Sequence, residues 1–384
     1  GDGIRPLALV LGWMEGQAME RALSRLLGHP EARKEVVEAF IRHGRRVTNL
    51  LMEQLRAEDL EIRQAAVIAL GRIGDPAAVP ALIEVLQNEP ELTVLTAGAM
   101  AKIGDLGPFE TLMAMLGHEE AAVRRAVISA LNSMGHPDMP DRIRTLLADP
   151  DPLVRESAVR IAGYFSYPQC GERFLERTRD SEEDIRRAAV ECLPYLDDHR
   201  AFSHLVHALL DDSPRVRAAA AKALSHVEGG EALPHLLKAL KDEAPWVRFY
   251  AVRSTGGHRL KEASEALRDL ITHDPAQHVR IEAIKAVSEM GGKDTVSLLN
   301  PLVKDHDTDI ARAAIRGLGM MDHPDAVAPL FEALGSTDPE IRIAALHAFG
   351  ESRDPEAPEK LQWMAETDRD EKVVAAAMQI LAGL

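Results

Sequence analysis

Cysteine is nearly absent from this chain of 384 residues, with Cys170 and Cys192 the only two. Two thiols build no disulfide framework, and they fit a reducing, cytoplasmic compartment. Aromatic residues are scarce at 4%. With Ala, Leu, Arg and Glu abundant, that shortage disfavours strands and favours helices. Long apolar runs are missing too. The run Leu7 to Leu11 falls far short of a bilayer span and lacks the layout of a secretory signal, so no membrane partner is expected. A basic surplus is also lacking, because 45 Lys and Arg stand against 61 Asp and Glu for a formal net charge of −16. Coating nucleic acid needs such a surplus on some face, which makes nucleic acid a disfavoured partner. No Gly-rich phosphate loop and no G-x-S-x-G elbow occurs, and neither enzymatic activity nor a cofactor is expected. The chain opens on Gly1 without a Met, so a longer native protein is expected.

What the chain has in abundance is internal repetition. The string EIRQAAVIALGRIGDP, Glu61 to Pro76, returns in variants such as AVRRAVISALNSMGHP, RVRAAAAKAL and EIRIAALHAFG. Take the Arg after the first apolar residue as the anchor. It falls at Arg33, Arg63, Thr93, Arg124, Arg155, Arg186, Arg217, Arg248, Arg280, Ala311, Arg342 and Val374. The eleven intervals average 31 residues and none departs by more than one. A period in this range marks a stacked-repeat architecture, which escapes the usual relation between length and domain count.

Each unit reads as two helices. Apolar or small residues stand one before the anchor and three, four, six and seven after it, which is helical spacing. Three after the anchor, nine of the twelve repeats carry Ala, from Ala66 to Ala377. That column lets neighbouring helices approach closely. A second helix carries a Leu-rich stripe, as in Val79 to Leu86 and Leu233 to Leu240. At the joints, Gly74 is placed to end a helix in the left-handed conformation, Asp75 to cap the next and Pro76 to open it. The Asp-Pro pairs at Asp149, Asp151, Asp274, Asp338 and Asp354 give the same punctuation. The predicted fold is all-α, an α-α superhelix of about twelve two-helix repeats running as one solenoid through 1–384. Residues 1–14 are read as the remnant of a preceding repeat, with Ile4-Arg5 as its anchor pair.

The units resemble HEAT repeats, in particular the short Ala-rich bacterial type named after phycobilisome lyases, from about residue 15 onward. The shared signature is D-x-x-V-R-x-x-A-x-x-A-L-G, seen in DPLVRESAVRIAG from Asp151 to Gly163. The resemblance implies that Asp and anchor Arg form a ladder between repeats, so the anchors are structural. It implies little about function, since such repeats serve scaffolds, lyase subunits, hydroxylases and DNA-repair proteins. The resemblance extends to deoxyhypusine hydroxylase, a HEAT-repeat enzyme whose iron site implies repeated His-Glu pairs. This chain has one such pair, His118-Glu119, and that reading is rejected.

Three further clusters carry candidate chemistry. His204 and His235 share a repeat position on adjacent outer helices, where a metal pair is geometrically allowed but an exposed, solvated surface is the stronger expectation. The run Asp305 to Asp309 lacks the Gly and closing Glu of a calcium loop, and reads as an acidic helix start. Cys170 reads as a loop thiol and Cys192 as a core thiol.

The positive signal is a face. Five residues after the anchor, on the side of the helix away from the apolar columns, stand Arg160, Glu191, Lys222, Arg253, Lys285 and Arg316. One after the anchor come Arg125, Arg187, Phe249 and Arg312, and nine after it Tyr164, Tyr195 and His226. In HEAT-type stacks the anchor helix lines the concave surface, so an acidic protein is expected to carry a basic, aromatic stripe along a groove. Rigid aromatics beside Arg are the composition of interface hot spots. The expected function is a non-catalytic scaffold that grips an acidic protein or peptide segment through Arg160, Tyr164, Arg187, Tyr195, Lys222, His226, Phe249, Arg253, Lys285 and Arg316. A lyase-type tetrapyrrole-binding subunit and a HEAT-like nucleic-acid protein are the alternatives.

Overall fold

The computed structural model describes residues 4–321, 323–352 and 356–383. Among them every regular element is helical. Packing divides the chain into two compact units, Gly1–Ala189 and Val190–Leu384.

Both units follow one local grammar. The anchor helix Leu60–Ile73 starts at Asp59, whose carboxylate accepts from the Glu61 amide at 2.8 Å. It ends at Gly74 with φ 70°, a conformation that glycine adopts without steric cost. Asp75 then caps Ala77 at 3.2 Å and Pro76 opens the following turn. Asp149, Asp151, Asp274 and Asp338 likewise accept from the amide two residues on, at 2.8–2.9 Å. Asp354 lies outside the described residues.

In the second unit the anchor helices are Pro214–Ala223, Pro245–Gly257, Gln277–Met290, Thr308–Gly319, Pro339–Glu351 and Glu371–Leu381, and each packs on the next. In the first unit Arg33–His43, Leu60–Ile73, Thr93–Ile103 and Ala121–Met134 do the same. The Ala column is the contact surface. All nine of its members, from Ala66 to Ala377, are fully buried.

The ladder is present. Arg155, Arg217, Arg248 and Arg342 each donate Nη1 to the two carbonyls that precede their own helix, and fork onto Asp180, Asp242, Asp274 and Asp368 of the following repeat. Arg248 with Asp274 is the most enclosed rung, at 2.7 and 2.8 Å with side chains 10% and 1% exposed. Each guanidinium thus satisfies loop carbonyls and a partner carboxylate at once, which compensates its removal from water. Arg5 is exposed and donates Nε to Glu35, 30 residues on, at 2.5 Å. At the anchor position 93, the Thr93 hydroxyl donates to the Glu89 carbonyl four residues back at 3.3 Å.

Candidate functional site

The site is built on three anchor helices of the second unit. Ser213 caps Pro214–Ala223 through the Arg215 amide at 3.2 Å. Proline opens both that helix and Pro245–Gly257. With Arg217, Arg248 and Arg280 paired to the following repeat and Ala311 buried in the stack, the fifth position after each points outward. Lys222, Arg253, Lys285 and Arg316 are all exposed.

Between Pro214–Ala223, Pro245–Gly257 and Gln277–Met290 lies a cleft of about 510 Å³. Lys222, His226, Tyr250, Arg253 and Lys285 line it together with Glu282 and Glu289. The Lys222 ammonium sits 6.0 Å from the centroid of the Tyr250 ring, within cation–π range. Lys285 is 4.0 Å from Glu289, which offsets part of its charge. Among the described residues, Lys222, Arg253 and Arg316 form no ion pair. Arg316 lies one repeat further on and does not line the cleft. Tyr195 is exposed, and its hydroxyl lies 3.4 Å from Nε2 of His226.

An aromatic cluster adjoins the cleft. Trp246 packs edge-on against Phe249 at 5.4 Å and lies over His278 at 4.7 Å. Phe249 meets Tyr250 at 5.3 Å. Phe249 is half-buried inside this cluster, and the ring that stands out into solvent is Trp246, 56% exposed. Tyr250 is shared by the cluster and the cleft, which makes one continuous surface of aromatic and basic groups.

Three residues of the expected stripe belong to the other unit. There Arg160 is held by Glu156 at 2.7 Å, Arg187 by Asp184 at 3.3 Å, and Tyr164 stands 70% exposed against Phe165. Arg312 faces Asp309 at 3.7 Å. The stripe is therefore not uniformly free charge. A column read down the repeats finds the cations but not the acids that neighbouring turns bring beside them.

Trp246, Tyr250, His278, Glu282 and Glu289 were missed. Trp246 and Tyr250 lie two before and two after Arg248, in a string with three aromatics among five residues. Glu289 occupies the ninth position of its repeat, a column read only for aromatics.

The other clusters are structural. His204 and His235 are half-buried, not exposed, and His235 packs edge-on against Phe202 at 5.7 Å. Burial, with help from Lys238, pushes the His235 pKa down. Asp307 caps its helix through the amides of Asp309 and Ile310. The cysteines are the reverse of expectation. Cys170 is buried, with its thiol pushed up to about 11 by burial, and Cys192 is half-buried. Cys170 sinks because the turn Pro168–Cys170 packs its thiol against the Pro140 carbonyl at 3.5 Å. His118 serves as a cap, its Nδ1 accepting from the Glu120 amide at 3.1 Å. Among the described residues no three His, Cys, Asp or Glu side chains gather as a metal-binding group.

The model for HEAT repeats matches residues 19–101, 89–163, 139–225, 171–248, 233–312 and 295–382. Deoxyhypusine hydroxylase of Neurospora crassa is 34% identical over 86 residues, which is 21% of this chain and 26% of that protein. Among solved structures, Kap95p in its complex with RanGDP aligns with a TM-score of 0.62 at 14% identity, over 99% of this chain and 60% of its own. The karyopherin Kap121p, bound to the extreme C-terminus of the phosphatase Cdc14p, aligns at 0.61 with 14% identity, over 98% of this chain and 50% of its own. The chain thus spans about a quarter of the curated relative it matches and 50–60% of these two solved chains. At such identity the two structures speak for the fold alone.

Proposed function

Since the chain belongs to the HEAT-repeat family, we propose that it is a non-catalytic interaction scaffold that binds an acidic protein or peptide segment on the anchor-helix face of residues 190–384. One observation carries this reading. A protein of net charge −16 keeps Lys222 and Arg253 exposed and, among the described residues, free of ion pairs beside the Trp246–Phe249–Tyr250 cluster. Cations that serve only to solubilise a helix need no rigid aromatic neighbour. An aromatic anchor flanked by Arg and Lys is the make-up of an interface centre.

The roles divide by chemistry. Trp246 and Tyr250 supply apolar contact at low entropic cost, because each has few rotatable bonds. Lys222, Arg253, Lys285 and Arg316 set encounter rate and orientation. Glu282 and Glu289 add selectivity, since a ligand carboxylate placed against them is repelled. The segment that fits carries acids toward Lys222 and Arg253 and an apolar residue over Trp246. Kap95p and Kap121p hold RanGDP and a Cdc14p segment respectively, so the fold is compatible with such a role. The likeness to the hydroxylase covers too little of either chain to carry its activity here.

Selection from a random peptide library displayed on phage tests this. The wild-type chain is expected to enrich sequences with a surplus of Asp and Glu. A chain with Lys222→Glu, Arg253→Glu, Lys285→Glu and Arg316→Glu is expected to lose that enrichment while retaining its helical circular dichroism. Equal enrichment by both folded chains, or none by the wild type, would overturn the reading.

A further inference from the structure

We propose that the rung left unfilled at Ala311 is a binding site for a guanidinium group supplied from outside the chain. The proposal is independent of the basic face and rests on the ladder.

Three filled rungs of the same unit share one set of acceptors, whereas Arg280 donates Nε to the Ile271 carbonyl and Nη2 to Asp305. Arg217 donates Nη1 to the carbonyls of Asp211 and Asp212 at 2.9 and 3.2 Å. Arg248 does so to Asp242 and Glu243 at 2.8 and 3.0 Å, and Arg342 to Ser336 and Thr337 at 2.9 and 3.3 Å. Each then forks onto the Asp found 25 or 26 residues later.

At position 311 both halves of the rung have changed. The anchor is Ala311, and the residues 25 and 26 further on are Ser336 and Thr337. The loop that presents the two carbonyls is nevertheless built as elsewhere. The Asp305 carboxylate accepts from the Asp307 amide at 2.9 Å, as Asp242 accepts from Ala244 at 2.9 Å. No donor among the described residues reaches the carbonyl oxygens of Asp305 or His306. Thr93, the other internal substitution, donates its hydroxyl to the Glu89 carbonyl four residues back; an Ala methyl donates to nothing.

The space left behind is a cleft of about 530 Å³ lined by Asp305, His306, Thr308, Ala311, Ser336 and Asp338. Two flanking charges are already matched. Asp305 pairs with Arg280 at 3.2 Å, and Lys304 at the rim pairs with Glu332. Asp338 accepts from Thr308 at 3.3 Å and from the Glu340 amide at 2.9 Å, and no cation pairs with it among the described residues. Two loop carbonyls and one carboxylate along this cleft suit a planar fork of N–H donors, and suit a compact ammonium poorly.

The test is binding of N-acetyl-L-arginine amide and N-acetyl-L-lysine amide to the full chain, read by calorimetry. The arginine compound is expected to bind at least about tenfold more tightly. The double variant Ala311→Arg, Ser336→Asp supplies the rung internally, so it should melt higher and lose arginine binding. Ala311→Met, which plugs the cleft without a charge, should also lose binding and guards against misfolding of the first variant. A peptide acetyl-Gly-Arg-Gly-amide distinguishes the source. Tighter binding than the single amino acid marks a partner's side chain, and equal binding marks a free guanidino compound. Equal affinity for arginine and lysine, no binding to the wild type, or unaltered binding to both filled variants would overturn the proposal.

Discussion

Arg248 and Arg253 sit five residues apart on one helix and do opposite work. Arg248 is 8% exposed and bonded on every side. Removing it strands Asp274, 1% exposed at its side chain, so Arg248→Ala is expected to cost on the order of 3 kcal/mol. Arg253 is exposed and forms no ion pair among the described residues, so Arg253→Ala should fall within about 0.5 kcal/mol of wild type. Urea unfolding followed by circular dichroism compares the two directly. The same rungs set the acid limit. Arg342 holds the Asp368 carboxyl below its ordinary range. Burial pushes Asp180 up, but the hydrogen bonds from Arg155 and the Glu182 amide outweigh it and leave its pKa lowered. A carboxyl with a depressed folded-state pKa stabilises the fold above the unfolded value, near 4, and that contribution is lost as pH falls through the folded value. Stability should therefore be level above about pH 5 and fall below about pH 4. Asp368→Asn should lower stability at neutral pH and make the acid slope shallower.

At the scale of the helix, small residues decide how closely elements approach. A Cβ on Gly256 would lie 2.8 Å from that of Ala286, and one on Gly319 would lie 2.6 Å from that of Ala348. Gly256→Ala must push two helices apart and should cost about 1–3 kcal/mol. Gly98 is the contrasting case, because nothing stands within 4 Å of its added Cβ. Gly98→Ala should stabilise by roughly 0.5–1 kcal/mol, from helix propensity and a less free unfolded chain. Thermal melts of Gly256→Ala and Gly98→Ala give the order. The helices themselves were legible in the sequence, because a 31-residue period, an Ala column and Asp-Pro caps each act locally and agree. The site was legible only in part. Its cations lie in one column, but Glu282, Glu289 and Trp246 reach the same cleft or cluster from other columns and other repeats. Which side chains meet across neighbouring helices is set by rotamers and packing, which a single string of letters does not display. Cys170 was misplaced for the same reason, since a turn that looks peripheral in sequence is folded under its neighbour.

For the whole molecule the informative contrast is between total and local charge. The surplus of acids disfavours indiscriminate binding of anions, so a face that presents exposed Lys222 and Arg253 beside aromatics is a local exception to the net charge. The ladder fixes where that face points, because each buried anchor turns its fifth neighbour outward. The measurement that tests this account most directly is the affinity of one library-selected acidic peptide, taken by calorimetry at two salt concentrations. It would be made for the wild type and for the chain with Lys222→Glu, Arg253→Glu, Lys285→Glu and Arg316→Glu. The account predicts binding that weakens as salt rises, a loss of at least about tenfold on charge reversal, and an intermediate loss for Trp246→Ala. Affinity indifferent to salt and unchanged by reversal, in a variant with wild-type stability, would contradict it.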